Sequence, residues 1–100
     1  MDPEAVISKL REIAPALQAE YRFAHLGVFG SVARGEFTPD SDVDIFIAFE
    51  PGERYTLMTL AKIVNALEAA LGMTVDIVTD HPGLRPHFRA IVERDLIRVA

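Results

Sequence analysis

Residues 29–47 read FGSVARGEFTPDSDVDIFI, and the two ends of this stretch decide how the chain is read. At the far end, Val43 to Phe49 alternates as a strand. Val43, Ile45, Ile47 and Phe49 face one way, and Asp42, Asp44, Phe46 and Ala48 the other. Asp42 and Asp44 therefore place two carboxylates on one face of an otherwise apolar strand. Unpaired charges there repel each other and resist burial, and a divalent cation removes both problems. At the near end, Gly30-Ser31 closes a short apolar segment, His25 to Gly30, that reads as a buried strand. Glycine lets backbone N–H groups approach an anion, a helix starting at Ser31 would add its positive end, and the Ser31 hydroxyl is a further donor. Residues 31–41 between them are rich in turn formers, with Gly35 and Pro39 as punctuation. Singly, each end is ambiguous: Gly-Ser is also a common turn, and a bare Asp-x-Asp is also a capped turn with a solvated neighbour. A turn of this length could bring the phosphate-cradling amides back beside the carboxylates, which makes the two ends one site.

Working outward, Pro51-Gly52 closes the strand. Leu57, Leu60, Val64, Leu67 and Leu71 then mark an amphipathic helix that stops at Gly72. Thr74 to Thr79 is a third strand, and its connection through a helix predicts a parallel neighbour with a right-handed crossover. Asp76 interrupts this strand and is placed to join Asp42 and Asp44. Three carboxylates without histidine or cysteine favour Mg²⁺ or Mn²⁺. The opening of an EF-hand is only mimicked by Asp40, Asp42 and Asp44, because Ile45 stands where that loop needs glycine and Pro51 where it needs glutamate. Gly-Lys-Ser/Thr is absent after Gly30, so the turn is not a P-loop.

Upstream, Asp2-Pro3 reads as a helix cap and first turn. Val6, Leu10, Ile13 and Leu17 follow at helical spacing over residues 3–20, with Pro15 expected to kink or split the helix. Downstream, Asp80-His81-Pro82-Gly83 is a turn. Leu84, Phe88, Ile91 and Val92 suggest a short helix, and Leu96 to Val99 an edge strand. The expected fold is α/β of the α+β kind: one domain over residues 1–100, with a small mixed sheet covered by helices.

The net charge of −5 argues against nonspecific nucleic-acid binding but permits a nucleotide whose phosphates are neutralised by metal. The absence of cysteine excludes disulfides, thiolate metal sites and cysteine nucleophiles, and suits a reducing cytoplasm. The acidic start, Met1-Asp2-Pro3-Glu4, lacks the pattern of a secretory signal. No apolar run approaches the roughly 20 residues of a membrane span, so no membrane partner is expected.

The stretch at 29–47, with TVDIV at 74–78, resembles the signature of the DNA polymerase β-like nucleotidyltransferase superfamily, and within it the minimal nucleotidyltransferases, which often serve as antitoxins beside HEPN-domain toxins. The resemblance covers nearly the whole chain. It implies that Asp42 and Asp44 bind two Mg²⁺ ions, that Asp76 completes the catalytic set, and that Gly30 and Ser31 hold the triphosphate of ATP. It further implies AMP transfer to a hydroxyl, with a tyrosine of a HEPN toxin as acceptor, in a homo- or hetero-oligomer. A steric antitoxin, or an enzyme acting on a small molecule as aminoglycoside nucleotidyltransferases do, are the alternatives.

Arg34 is read equally as a phosphate ligand or as a brace for the turn, paired with Asp40. His25, His81 and His87 read as surface or turn residues, and Tyr21 and Tyr55 as packing residues. Arg85 and Arg89, four residues apart, read as a solvated helix face.

Overall fold

The computed structural model describes residues 2–38 and 40–100; Met1 and Pro39, the latter read above as turn punctuation, lie outside the described residues. Asp2 opens α1 (Pro3–Tyr21) by accepting the Ala5 N–H at 2.8 Å, and Pro3 occupies the first turn, where its missing N–H costs nothing. Val6, Leu10, Ala14 and Leu17 form the buried stripe of this helix. Pro15 does not split it. The helix runs uninterrupted through an exposed Pro15 because the buried stripe on either side outweighs one lost backbone hydrogen bond. Relief of that local cost should show in Pro15→Ala. An interior helical proline costs about 3 kcal/mol, partly offset by its restriction of the unfolded chain, so the variant is expected to gain about 1–2 kcal/mol, read as a higher Tm.

Arg22, in the left-handed region at φ 57°, ends α1, and Gln18 Nε2 then donates to the carbonyls of Phe23 and Ala24 at 3.1 and 3.0 Å. Those bonds sit at an irregularity in β1 (Phe23–Phe29), where pairing with the next strand jumps from Phe23–Phe49 to His25–Ala48. The bulge lets the strand begin two residues before the expected His25 and still bury Phe23. Ser31–Arg34 form one helical turn, α2, at the head of the stretch rich in turn formers. Then come β2 (Val43–Phe49), α3 (Leu57–Leu71), β3 (Val75–Thr79), α4 (Pro86–Asp95) and the short β4 (Ile97–Arg98). Thr56 and Thr59 cap the start of α3 reciprocally, and Gly72 ends it at φ 67°.

The sheet order is β3-β2-β1-β4. β2 and β3 are parallel, as the helical crossover requires, and β1 is antiparallel to both β2 and β4. One face carries Leu26, Val28, Val43, Ile45 and Ile47, all without solvent exposure, against the apolar stripes of α1 and α3. The opposite face carries Asp44, Phe46 and Ala48, each only half-buried. Over the β1 side of this second face lies α4. Phe88 meets Phe29 edge to face at 6.2 Å, Val92 is fully buried, and Leu96 lies over Gly27, where a Cβ would meet Leu96 Cδ1 at 2.6 Å. The β2–β3 half of the face stays open.

Two expectations about the C-terminal half change. Arg85 precedes α4 rather than sharing its face with Arg89. Arg89 is not a solvated residue either: it pairs with Asp80 at 2.7 Å and donates to the His81 carbonyl at 3.0 Å, tying α4 to the turn after β3. Among the described residues, no helix is long and apolar enough to cross a membrane.

Candidate active site

The three strands bring the acidic residues together by register. Phe29 of β1 pairs with Asp44 of β2, and Asp44 pairs with Asp76 of β3, so one line across the sheet runs from the end of β1 through both carboxylates. Residues paired in this way point to the same face, and neighbouring strands lie ~4.8 Å apart. Asp42 stands just ahead of β2, exposed, two residues from Asp44. Gly30 directly follows β1 at φ 74° and ψ −147°, and a side chain there would collide with the Asp44 carboxylate. Glycine is thus required twice at one position, for its backbone angles and for the approach of Asp44. Ser31 begins α2 at the next residue.

Asp44 is the electrostatic centre of the group. Burial, then the Asp76 charge, then the Asp42 charge all push its carboxyl above the ordinary carboxylate range, and Arg34 alone pulls it back. A partly buried carboxylate facing two others is poised for a cation. Among the described residues, no three acidic or imidazole side chains stand close enough together to hold a metal ion by themselves. Mg²⁺ does not need such a set, because it is usually held by one or two carboxylates together with substrate phosphates and water. The all-oxygen donor set and its mutual repulsion fit that mode.

Arg34 takes the bracing role, with different partners from the expected Asp40. Its Nε donates to Glu36 at 3.0 Å and its Nη1 to Asp95 at 2.7 Å. The Asp95 side chain is 6% exposed and also accepts from Arg94 at 3.1 Å. The Arg94 bond first, and the Arg34 bond second, hold its carboxyl below the usual range. The stabilisation from these pairs is therefore present above the ordinary carboxylate range and lost as pH falls through the depressed value.

This arrangement of a glycine-serine turn, an Asp-x-Asp strand and a third aspartate in the parallel neighbour runs from Gly30 to Asp76, and the match to known proteins extends well beyond it. Residues 9–99 match the nucleotidyltransferase domain family. The chain belongs to this family. A protein adenylyltransferase of Thermococcus cleftensis is 40% identical over 75 residues, which cover 75% of this chain and 74% of that one. A solved structure assigned as a minimal nucleotidyltransferase is 44% identical, with a TM-score of 0.78 and coverage of 97% of this chain and 95% of that one. The fold also agrees with a complex in which an MNT antitoxin binds a tri-AMPylated Shewanella oneidensis HEPN toxin. That likeness has a TM-score of 0.66 at 14% identity, over 94% of this chain and 71% of the other.

Two residues of this nucleotidyltransferase domain position the site without any signal in the sequence pattern. Glu68 of α3 accepts the Val75 N–H at 2.9 Å, fixing the start of β3 one residue before Asp76. Its place on a helix face among leucines gives it the look of an ordinary solvated charge. Asp95 anchors α2 through Arg34 from 61 residues away. Only tertiary structure reveals that pair. His25, His81 and His87 are exposed, and His81 Nδ1 accepts the Gly83 N–H at 3.1 Å within the turn. Tyr55 stacks on Phe49 at 4.0 Å and Tyr21 packs against the core, as packing residues should.

Proposed function

We propose that this nucleotidyltransferase moves AMP from ATP to a hydroxyl of a partner protein, a tyrosine of a HEPN-type toxin, and so acts as the antitoxin. The placement of Asp44 carries the reading: its carboxylate abuts the Gly30 turn on one side and pairs with Asp76 on the other. The relative named as a protein adenylyltransferase and the AMPylated toxin held by a protein of the same fold support the choice of donor and acceptor.

In this reading Gly30 and Ser31 bind the β- and γ-phosphates through backbone N–H groups and the Ser31 hydroxyl. Asp42, Asp44 and Asp76 would hold magnesium, which would supply Lewis-acid stabilisation of the negative charge that develops on the α-phosphate and on pyrophosphate. Asp76 lies at the open side of the line and receives the acceptor hydroxyl, whose oxygen bonds to the α-phosphorus while its proton passes to the Asp76 carboxylate. The bond from the α-phosphorus to the β-phosphate oxygen breaks, and pyrophosphate leaves on the Gly30-Ser31 side. Arg34 holds α2 for this purpose rather than touching phosphate. β3 is an edge strand, so among the described residues no further strand lies beside Asp76. A partner protein supplies the missing wall.

The test is transfer of label from α-³²P-ATP to a HEPN partner in the presence of Mg²⁺, comparing wild type with Asp42→Ala/Asp44→Ala. Label on the partner with the wild type and none with the variant is the expected result. A partner inhibited equally by both proteins, and unlabelled, would make this chain a steric antitoxin.

A further inference from the structure

The hydrogen bonds at the two ends of the β2–β3 ladder fix which way the peptide groups of β3 point. Val43 N–H donates to the Thr74 carbonyl at 2.9 Å, and Asp80 N–H to the Ile47 carbonyl at 2.8 Å. In a parallel pair, alternate residues of one strand direct both backbone groups at the neighbour. Thr74, Asp76, Val78 and Asp80 therefore face β2, and Val75, Ile77 and Thr79 turn their N–H and C=O groups to the outer edge. No strand of the described residues lies there. Glu68 takes the first outward N–H, that of Val75, at 2.9 Å. The Val75 carbonyl, both groups of Ile77 and the Thr79 N–H then follow as an alternating row of acceptors and donors.

Sheet edges are usually blunted by lysine, proline or a bulge, because they pair readily with other chains. VDIVT, residues 75–79, carries neither lysine nor proline, and its register against β2 runs without a shift. Its β-branched residues suit an extended neighbour. The same edge borders the line of carboxylates. A strand added there would lie ~4.8 Å from β3 and set the side chain beside Asp76 on the Asp76 face, whichever way it runs. From that position the phenol oxygen of tyrosine spans the gap, whereas the hydroxyl of serine or threonine, one bond from Cβ, falls short. At the start of β3, Asp40, Asp42 and Glu68 border an open acidic depression. That end and the net charge of −5 attract a segment carrying lysine or arginine, and repel a second copy of this chain.

We infer that the outer edge of β3 is the docking site of the acceptor: an extended segment of the partner protein adds as a fifth strand and presents its tyrosine beside Asp76. This rests on the reading of Asp76 as the residue that receives the acceptor hydroxyl. Affinity comes from main-chain bonds to Ile77 and Thr79, and choice of acceptor from the one side chain long enough to reach the line. Glu68 marks where the pairing ends.

Amide hydrogen exchange on the full chain, with and without the HEPN partner, tests this beside transfer of label from α-³²P-ATP. In the free chain, Asp76 and Val78 exchange slowly, being bonded to β2, and Ile77 and Thr79 exchange fast. With the partner bound, Ile77 and Thr79 are expected to slow by about tenfold. A labelled partner with unchanged exchange at both residues would overturn the edge and leave the transfer reading standing. An unlabelled partner would remove the transfer reading and the edge with it. Slow exchange at Ile77 and Thr79 before the partner is added, made fast by dilution, would give the edge to a second copy instead. Ile77→Pro removes one outward N–H where an edge strand tolerates proline. It is expected to raise KM for the partner about tenfold and leave kcat within about twofold, and an unchanged KM would overturn the edge. Because exchange is read on the wild type, it decides whether or not the proline variant folds.

Discussion

Asp44→Asn is expected to abolish nucleotidyl transfer and at the same time to make the protein harder to unfold. The loss follows from removing a charge that the developing transition state needs, and such removals cost about 10²–10³-fold or more. The gain follows from the raised carboxyl. A carboxyl that ionises less readily in the folded protein than in the unfolded chain costs no stability below its unfolded value. As pH rises from there through the folded value, the unfolded chain releases its proton first and stability is lost. Asparagine, of the same shape and uncharged, removes that loss. Thermal unfolding should therefore give Asp44→Asn a Tm above that of wild type at pH ~7 and no advantage near pH ~3, below the ordinary carboxylate value. An unchanged Tm at neutral pH would mean that neither burial nor the Asp76 and Asp42 charges burden Asp44. Retained transfer would mean that Asp44 holds no metal.

Gly30→Ala should be damaging in a different way, losing both activity and stability. At φ 74° and ψ −147° the backbone occupies a region that L side chains rarely adopt, at a cost of about 1–3 kcal/mol. The new methyl group would also be driven against the Asp44 carboxylate, which must turn away from the line it shares with Asp76. A fall in Tm with transfer below detection is the expected outcome. Gly35→Ala serves as the comparison. Gly35 also has φ 74°, but a Cβ there meets nothing within 4 Å, so it should show the backbone cost while retaining most activity. Equal activity loss in both variants would detach the effect from Asp44.

How far the sequence disclosed this molecule depended on whether a signal was local. The strand Val43–Phe49 and the helix Leu57–Leu71 were legible to the residue, because alternation and helical spacing are properties of consecutive side chains. The parallel pairing of β2 with β3 followed from the length of the crossover, and with it the meeting of Asp44 and Asp76. Of the two outcomes that Pro15 suggests, the split does not occur, because the packing of Leu10, Ala14 and Leu17 overrides local propensity. The start of β1 was misplaced because a bulge at Ala24 interrupts the period-two pattern. Arg34 defied a local reading for the same reason that Glu68 did. Their decisive partners, Asp95 and the Val75 amide, lie across the fold, and charge alone does not name a partner.

The distant tie from Arg34 to Asp95 also governs when the enzyme comes into being. Gly30-Ser31 is synthesised early, yet the helix that follows it is anchored by a residue made 61 positions after Arg34. β1 likewise obtains its second neighbour only when Ile97 and Arg98 pair with Val28 and Gly27. During translation the Gly30-Ser31 turn therefore exists as sequence well before it exists as geometry, since non-local closure must precede it. A nascent chain that already displays all three aspartates therefore still lacks the fixed turn beside them, and the proposed transfer would begin only once Asp95 and β4 have docked.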